Sequence, residues 1–86
     1  MIKRYILFFT PACPNCAKIK EFMENKQLEK EWIDATKPEG LEKARKFKVM
    51  GVPIVIFFDG DGKEITRAKT VEEVKRVIEN KNLGDV

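Results

Sequence analysis

Residues 5–16 read YILFFTPACPNC, a continuous apolar run followed by the chain's only two cysteines, Cys13 and Cys16. A short apolar run without polar interruptions is typical of a central strand that is covered on both faces. Pro14 favours the first turn of a helix, because the N–H that proline lacks would have no intrahelical partner there. The segment therefore predicts a buried strand, a short loop and a helix that begins at Cys13.

Four segments have the composition of strands. They are residues 5–9, 31–35, 54–58 and 63–67. The segment at 54–58 reads IVIFF and is as continuously apolar as YILFF, so both are predicted to be central strands with helices on both faces of the sheet. The turn sequence DGDG separates the last two segments and predicts an antiparallel hairpin.

Three segments predict helices. Apolar residues recur at helical spacing from about residue 14 to residue 26. The sequences TKPE at 36–39 and TVEE at 70–73 have the form of capping boxes that open a second and a third helix. The apolar sides of these two helices are predicted to contain Leu41, Ala44 and Phe47 in one, and Val71, Val74 and Ile78 in the other, which should fray near residues 82–84.

The predicted fold is α/β, in the order β-α-β-α-β-β-α, with a four-stranded mixed sheet flanked by three helices. A chain of 86 residues with 43% apolar content fits one domain, residues 1–86, with one modest core.

Composition excludes several classes of function. The net charge of +3 comes from Lys and Arg interspersed with Glu, which is typical of solvated helix faces and not of a nucleic-acid footprint. No apolar stretch has the length of a membrane span or of an export signal, so we expect a cytoplasmic protein that binds no membrane. The chain has no histidine, and two thiols cannot fill a tetrahedral zinc site. We expect no metal and no cofactor.

The two cysteines are predicted to have different roles. Cys13 at the helix N-terminus faces unpaired backbone N–H groups and the positive end of the helix dipole, which favour a thiolate, so it is the candidate nucleophile. Cys16 precedes Ile19 by one helical turn and should be its shielded partner, within disulfide reach of Cys13. A structural bridge over so short a loop would contribute only roughly 2 kcal/mol. Reversible redox use is favoured over a structural bridge or an intermolecular metal or cluster site.

A second motif, Gly51-Val52-Pro53, directly precedes IVIFF. Proline at the start of a strand is permitted on steric grounds alone. Together with the CPNC motif, the following strand and the DG turn, however, it resembles the thioredoxin superfamily over roughly residues 4–81, in its compact, glutaredoxin-sized form. The resemblance implies a thioredoxin fold, a cis bond before Pro53, and a Val52 backbone edge on which an extended substrate segment docks.

The resemblance also implies that Cys13 and Cys16 are catalytic. The active-site loop around them contains Thr10, Pro11, Pro14 and Asn15, of which Thr10, Pro11 and Asn15 either shape the site or serve only as loop and cap residues. Asn15 stands where glutaredoxins commonly have tyrosine, and the residues that hold glutathione in that family do not match here. Thioredoxins proper carry WCGPC, whereas Ala12 precedes Cys13 in this chain. The chain is thus similar to small glutaredoxin-like proteins with thioredoxin-type activity.

The expected function is a thiol-disulfide oxidoreductase that reduces disulfides of cytoplasmic proteins. Its expected partners are disulfide-containing substrate proteins and a reductase. We expect the reductase to be a flavoprotein thioredoxin reductase and not glutathione, and we expect the chain to be a monomer. Three alternatives stay open: a glutathione-dependent glutaredoxin, a carrier of an iron-sulfur cluster shared between chains, and a non-catalytic module that binds peptides on the Val52-Pro53 edge. Trp32 is predicted to be a core residue.

Overall fold

A computed structural model describes residues 2–82 of the chain. Its elements are β1 (Arg4–Phe9), α1 (Pro14–Met23), β2 (Glu29–Asp34), α2 (Pro38–Lys46), β3 (Ile54–Phe58), β4 (Glu64–Ala68) and α3 (Val71–Asn82). This is the predicted order, and the predicted β3 matches the observed strand residue for residue. Within the described part of the chain, no helix is both long and apolar enough to cross a membrane.

The four strands form one mixed sheet in the order β2-β1-β3-β4. Strand β1 pairs in parallel with β2 and antiparallel with β3, and β3 forms the predicted antiparallel hairpin with β4. The two continuously apolar strands therefore occupy the centre, where each has a hydrogen-bonded neighbour on both sides.

Alternating side chains of the central strands build two cores, one on each face of the sheet. On one face, Tyr5 and Leu7 of β1 pack with buried residues of α1 and α3. On the other face, Ile6 and Phe8 pack with the buried Ala44 of α2. The period-2 alternation of a strand sends successive side chains to opposite faces, so a strand buried on both sides must be apolar throughout.

The strand register determines which loops meet. Phe8 near the end of β1 is opposite Ile54 at the start of β3. Residues 10–13, which follow β1, and residues 51–53, which precede β3, therefore leave the sheet at the same end. The CPNC motif and the Val52-Pro53 pair are brought to one end of the molecule by the pairing of the two central strands.

Two predicted boundaries are wrong by two residues or more, whereas β1, the end of β2 and β4 differ from the prediction by one residue. Helix α1 ends at Met23 and not near residue 26, because Met23 is the last member of its buried stripe and the next residues are polar. Strand β2 begins at Glu29, two residues before the predicted start, because β1 offers it pairing partners from Arg4 onwards. The predicted fraying covers residues 82–84; Asn82 is the last residue of α3, and residues 83–84 lie outside the described residues.

The two predicted capping boxes differ in outcome. Helix α2 has Lys37 at its N-cap without a side-chain cap, and Thr36 instead bonds Asp34, so the prediction for TKPE is wrong. Thr70 does cap α3, because its Oγ1 accepts the Glu73 backbone N–H at 3.1 Å. The Glu73 carboxylate, however, accepts the backbone N–H of Lys69, one residue before the cap.

Two large apolar side chains are more exposed than predicted. Leu41 is 47% exposed and lies off the buried side of α2, where Gly40 and Ala44 make the close approach to the sheet. Trp32 is 37% exposed on the edge strand β2, and its indole N–H donates to the Tyr5 hydroxyl at 3.0 Å. The prediction that Trp32 is a core residue is therefore wrong, because β2 is an edge strand and the Trp32 ring lies beside the ammonium groups of Lys20 and Lys30 and outside both cores.

Candidate active site

Cys13 lies at the N-cap of α1, where the sequence places it. Its backbone is extended, with φ −93° and ψ 111°, and Pro14 occupies the first turn of the helix. The Cys13 Sγ accepts the backbone N–H of Cys16 at 3.2 Å, so the sulfur takes the position of a capping oxygen. The Cys13 N–H donates to the Thr10 carbonyl at 3.2 Å and closes the loop that precedes the helix.

Cys16 is the shielded thiol, with 2% of its surface exposed. Burial is the main cause that raises the pKa of Cys16 from an ordinary value of 9.0 to about 11. The hydrogen bond between the two cysteine side chains and the charge of Cys13 raise this pKa further, whereas a hydrogen bond from the Thr10 backbone lowers it. Both cysteines are free thiols.

The two thiols are therefore chemically unequal although they lie one helical turn apart. Cys13 is half-buried and its sulfur accepts a backbone N–H, which stabilises negative charge on that atom. Cys16 is buried and holds its proton at neutral pH. A reactive outer sulfur beside a protonated inner sulfur is suited to two successive thiol-disulfide exchanges.

Lys20 is a charged neighbour of this site that the sequence reasoning missed. Its Nζ lies 3.4 Å from the centroid of the Phe9 ring, at the end of β1, and its positive charge lowers the pKa of Cys16. The signal was available, because Lys20 follows Cys16 by four residues and side chains at this spacing share a helix face. No polar or charged residue is buried among the described residues, so no buried carboxylate stands beside Cys16 there.

The peptide bond between Val52 and Pro53 is cis, as the resemblance implies. Both residues are half-buried and line an open groove of about 600 Å³ between the segment before β3 and the end of β4. Met50 at the rim of this groove is 97% exposed. The groove lies at the end of the sheet where the CPNC loop emerges.

The remaining predicted loop residues are at the surface. Pro11, Pro14 and Asn15 are exposed, and Thr10 contributes through its backbone. Asn15 lines a small cleft of about 120 Å³ together with Thr70 at the start of α3. The CPNC loop is therefore next to the turn that connects β4 and α3.

These features agree with the comparisons to known proteins. A family model described as a thioredoxin-like domain matches residues 3–81. The chain belongs to the thioredoxin-like family. This thioredoxin-like chain is 32% identical over 65 residues to the SPbeta prophage-derived thioredoxin-like protein YosR of Bacillus subtilis (strain 168), with 76% of the chain and 79% of that protein covered.

Solved structures show the same thioredoxin fold. Thioredoxin O2 from Arabidopsis thaliana superposes with a TM-score of 0.77 at 22% identity, over 92% of this chain and 74% of that one. Thioredoxin 1 from Thermosipho africanus gives a TM-score of 0.64 at 24% identity, over 92% of this chain and 98% of that one. At these identities the likeness concerns the fold. Family membership and the C-x-x-C pair together support a role in thiol-disulfide redox chemistry.

Proposed function

We propose that the chain is a protein dithiol-disulfide oxidoreductase that reduces disulfides of cytoplasmic proteins. The observation that carries the proposal is the unequal pair at the start of α1, with a half-buried Cys13 whose sulfur accepts an N–H and a buried, protonated Cys16. In a structural bridge neither thiol would need to be reactive or accessible.

In the first step, the Cys13 thiolate attacks one sulfur of a substrate disulfide. A Cys13–substrate disulfide forms, the substrate S–S bond breaks, and the other substrate sulfur leaves as a thiolate. An extended substrate segment would lie along the groove, where the Val52 backbone offers hydrogen bonds and Pro53 forms the wall.

In the second step, Cys16 loses its proton and attacks the Cys13 sulfur. The Cys13–Cys16 disulfide forms and the second substrate sulfur leaves. The substrate gains two electrons; one departing thiolate accepts the proton from Cys16, and the other accepts a proton from water. A reductase, which we propose to be a flavoprotein thioredoxin reductase, then returns two electrons to the pair.

Trapping the mixed disulfide tests these roles. Cys16→Ser should accumulate a covalent adduct between Cys13 and a disulfide-bearing substrate, visible as a mass shift that a reductant reverses. Cys13→Ser is the matched control and should form no adduct. Adduct formation by the Cys13→Ser variant alone would reverse the assigned roles, and none by either variant would refute the exchange mechanism.

The reduction potential separates the proposal from the glutathione-dependent alternative. After equilibration with defined glutathione buffers, a value near −270 mV would support a thioredoxin-type electron donor, and about −200 to −230 mV would favour a glutaredoxin. The Cys13–Cys16 pair could instead fail to oxidise and reduce reversibly in every glutathione buffer. If a double Cys→Ser variant then still binds peptides, the chain is better described as a non-catalytic peptide-binding module.

A further inference from the structure

The groove beside Pro53 is bordered by basic side chains. Lys48, Arg67 and Lys69 line it together with a single carboxylate, that of Glu73. Lys48 lies after α2 and Lys69 follows β4, so the positive charges reach the groove from two sides.

Two of these three cations form no ion pair with any residue between 2 and 82. The Arg67 guanidinium is engaged by Glu64, with Nε–Oε2 and Nη2–Oε1 distances of 2.6 and 3.0 Å. The Glu73 carboxylate accepts the Lys69 backbone N–H at 2.7 Å. In the part of the chain that the structure describes, no ion pair involves the ammonium group of Lys48 or of Lys69. Both side chains are exposed.

Lys48 also occupies a position that favours glycine. Its φ is +59°, in the left-handed region. The N–H groups of Lys48 and Val49 donate to the carbonyls of Arg45 and Ala44 at 3.1 and 2.7 Å, which is the hydrogen-bond pattern of a Schellman motif at the end of α2. Glycine is the usual residue at this point because it has no Cβ to strain the backbone. A lysine here costs stability and places at the rim of the groove a cation that forms no ion pair within residues 2–82.

We propose that this groove recognises acidic segments of substrate proteins, with the ammonium groups of Lys48 and Lys69 contacting carboxylates that flank the substrate cysteine. The exposed Met50 lines the same groove, and its thioether offers contact to an apolar side chain of that segment. The inference rests on the proposed function, because it names the class of substrate that the Cys13–Cys16 pair would reduce.

The groove is close to the reactive loop. Asn15 of the CPNC motif shares a cleft with Thr70, the residue that follows Lys69. A segment bound along the groove therefore lies beside the end of α1 that carries Cys13, which is the geometry that docking before disulfide attack requires.

Paired peptides test the proposal. Two peptides with the same internal disulfide are compared, one with Asp and Glu flanking its cysteines and one with Asn and Gln. The wild-type protein should reduce the acidic peptide with the higher kcat/KM. Lys48→Gln and Lys69→Gln should each lower that value about two- to five-fold, as expected for an exposed ion pair, and change the value for the neutral peptide by less. Added salt at about 0.5 M should remove the difference between the peptides.

Lys63→Gln is the charge-matched control, because Lys63 is exposed in the β3–β4 turn at the opposite end of the sheet. It should leave the preference unchanged. Lys48→Gly should raise the thermal midpoint by roughly 2 to 6 °C while it lowers the acidic preference, a combination that a purely structural lysine cannot produce. Equal losses on both peptides, or the same loss with Lys63→Gln, would overturn the proposal.

Binding separates this proposal from the proposed function. A double Cys→Ser variant is titrated with fluorescent peptides in which Ser replaces Cys, so no redox step is involved. Tighter binding of the acidic peptide, weakened by Lys48→Gln, supports the docking site. If the wild-type protein nevertheless reduces neither peptide, the redox role is refuted and the docking site is not. Equal binding of the two peptides refutes the docking site. The wild-type protein and the two lysine variants are also assayed with glutathione disulfide, which carries carboxylates but is not a protein segment. If its reduction depends on Lys48 and Lys69 to the same extent, the groove binds a small carboxylate ligand and the proposal is overturned.

Discussion

Alkylation of the reduced protein should be strongly selective for Cys13 over Cys16. At pH 8 a thiol with a pKa of about 11 is roughly 0.1% thiolate, whereas a thiol at the ordinary value of 9.0 is roughly 9%. Ionisation alone therefore slows attack by Cys16 about 100-fold, and its 2% exposure slows it further. The alkylation rate of Cys16 should rise about ten-fold for each pH unit between 8 and 10.

The assay uses a small amount of iodoacetamide on reduced protein, followed by fragmentation mass spectrometry that assigns the adduct to Cys13 or Cys16. Protein unfolded in guanidinium is the control, and both thiols should react there at similar rates. In a Cys13→Ser variant the pKa of Cys16 should be lower than in wild type, since the hydrogen bond and charge of Cys13 contribute to raising it. The reasoning is refuted if, in the folded wild type, Cys16 is alkylated as fast as Cys13. It is also refuted if the alkylation rate of Cys16 stops rising below pH 9.

Three further predictions concern stability. Gly40→Ala should cost about 1 to 3 kcal/mol by urea unfolding, because the new Cβ would overlap the Asp34 carbonyl; an unchanged midpoint would contradict this close approach. Thr70→Ala should lower the free energy of unfolding by about 1 kcal/mol, and Thr36→Ala should lower it by less, because Thr70 caps a helix and Thr36 does not. Equal losses for the two variants would contradict this difference in capping. Because the pKa of Cys16 is higher in the folded than in the unfolded chain, its protonation contributes to the free energy of unfolding. This contribution is complete below about pH 9 and is lost as the pH rises to about 11. Up to about 3 kcal/mol should be lost across that range in pH-dependent unfolding, and Cys16→Ala should lack this loss.

The sequence predicted those parts of the fold that depend on local patterns. The runs YILFF and IVIFF could be recognised as central strands because burial on both faces leaves no position for a polar residue. Pro14 fixed the start of α1, and the spacing of Cys16 from Ile19 predicted the buried thiol correctly. These features depend on a few neighbouring residues, so spacing alone was enough.

Other features depend on strand placement, competing hydrogen bonds or backbone geometry that residue spacing does not show. Trp32 looked like a core residue, but its exposure is decided by the edge position of β2 in the sheet. Thr36 had the spacing of a cap, yet Asp34 takes its hydrogen bonds. The left-handed backbone of Lys48 had no sequence signal at all, because that position usually holds glycine. Residue spacing alone did not reveal any of these three outcomes.

The strand order has a consequence for how the molecule opens. β1 and β3 each have a pairing partner on both sides, whereas β2 and β4 have one. Amides of the two middle strands should therefore exchange with solvent deuterium only through global unfolding, while those of the outer strands exchange through smaller, local openings. The segments that hold Cys13 and Pro53 are attached to the slowest-exchanging strands. The relative placement of nucleophile and groove should thus survive fluctuations that release the rest of the chain.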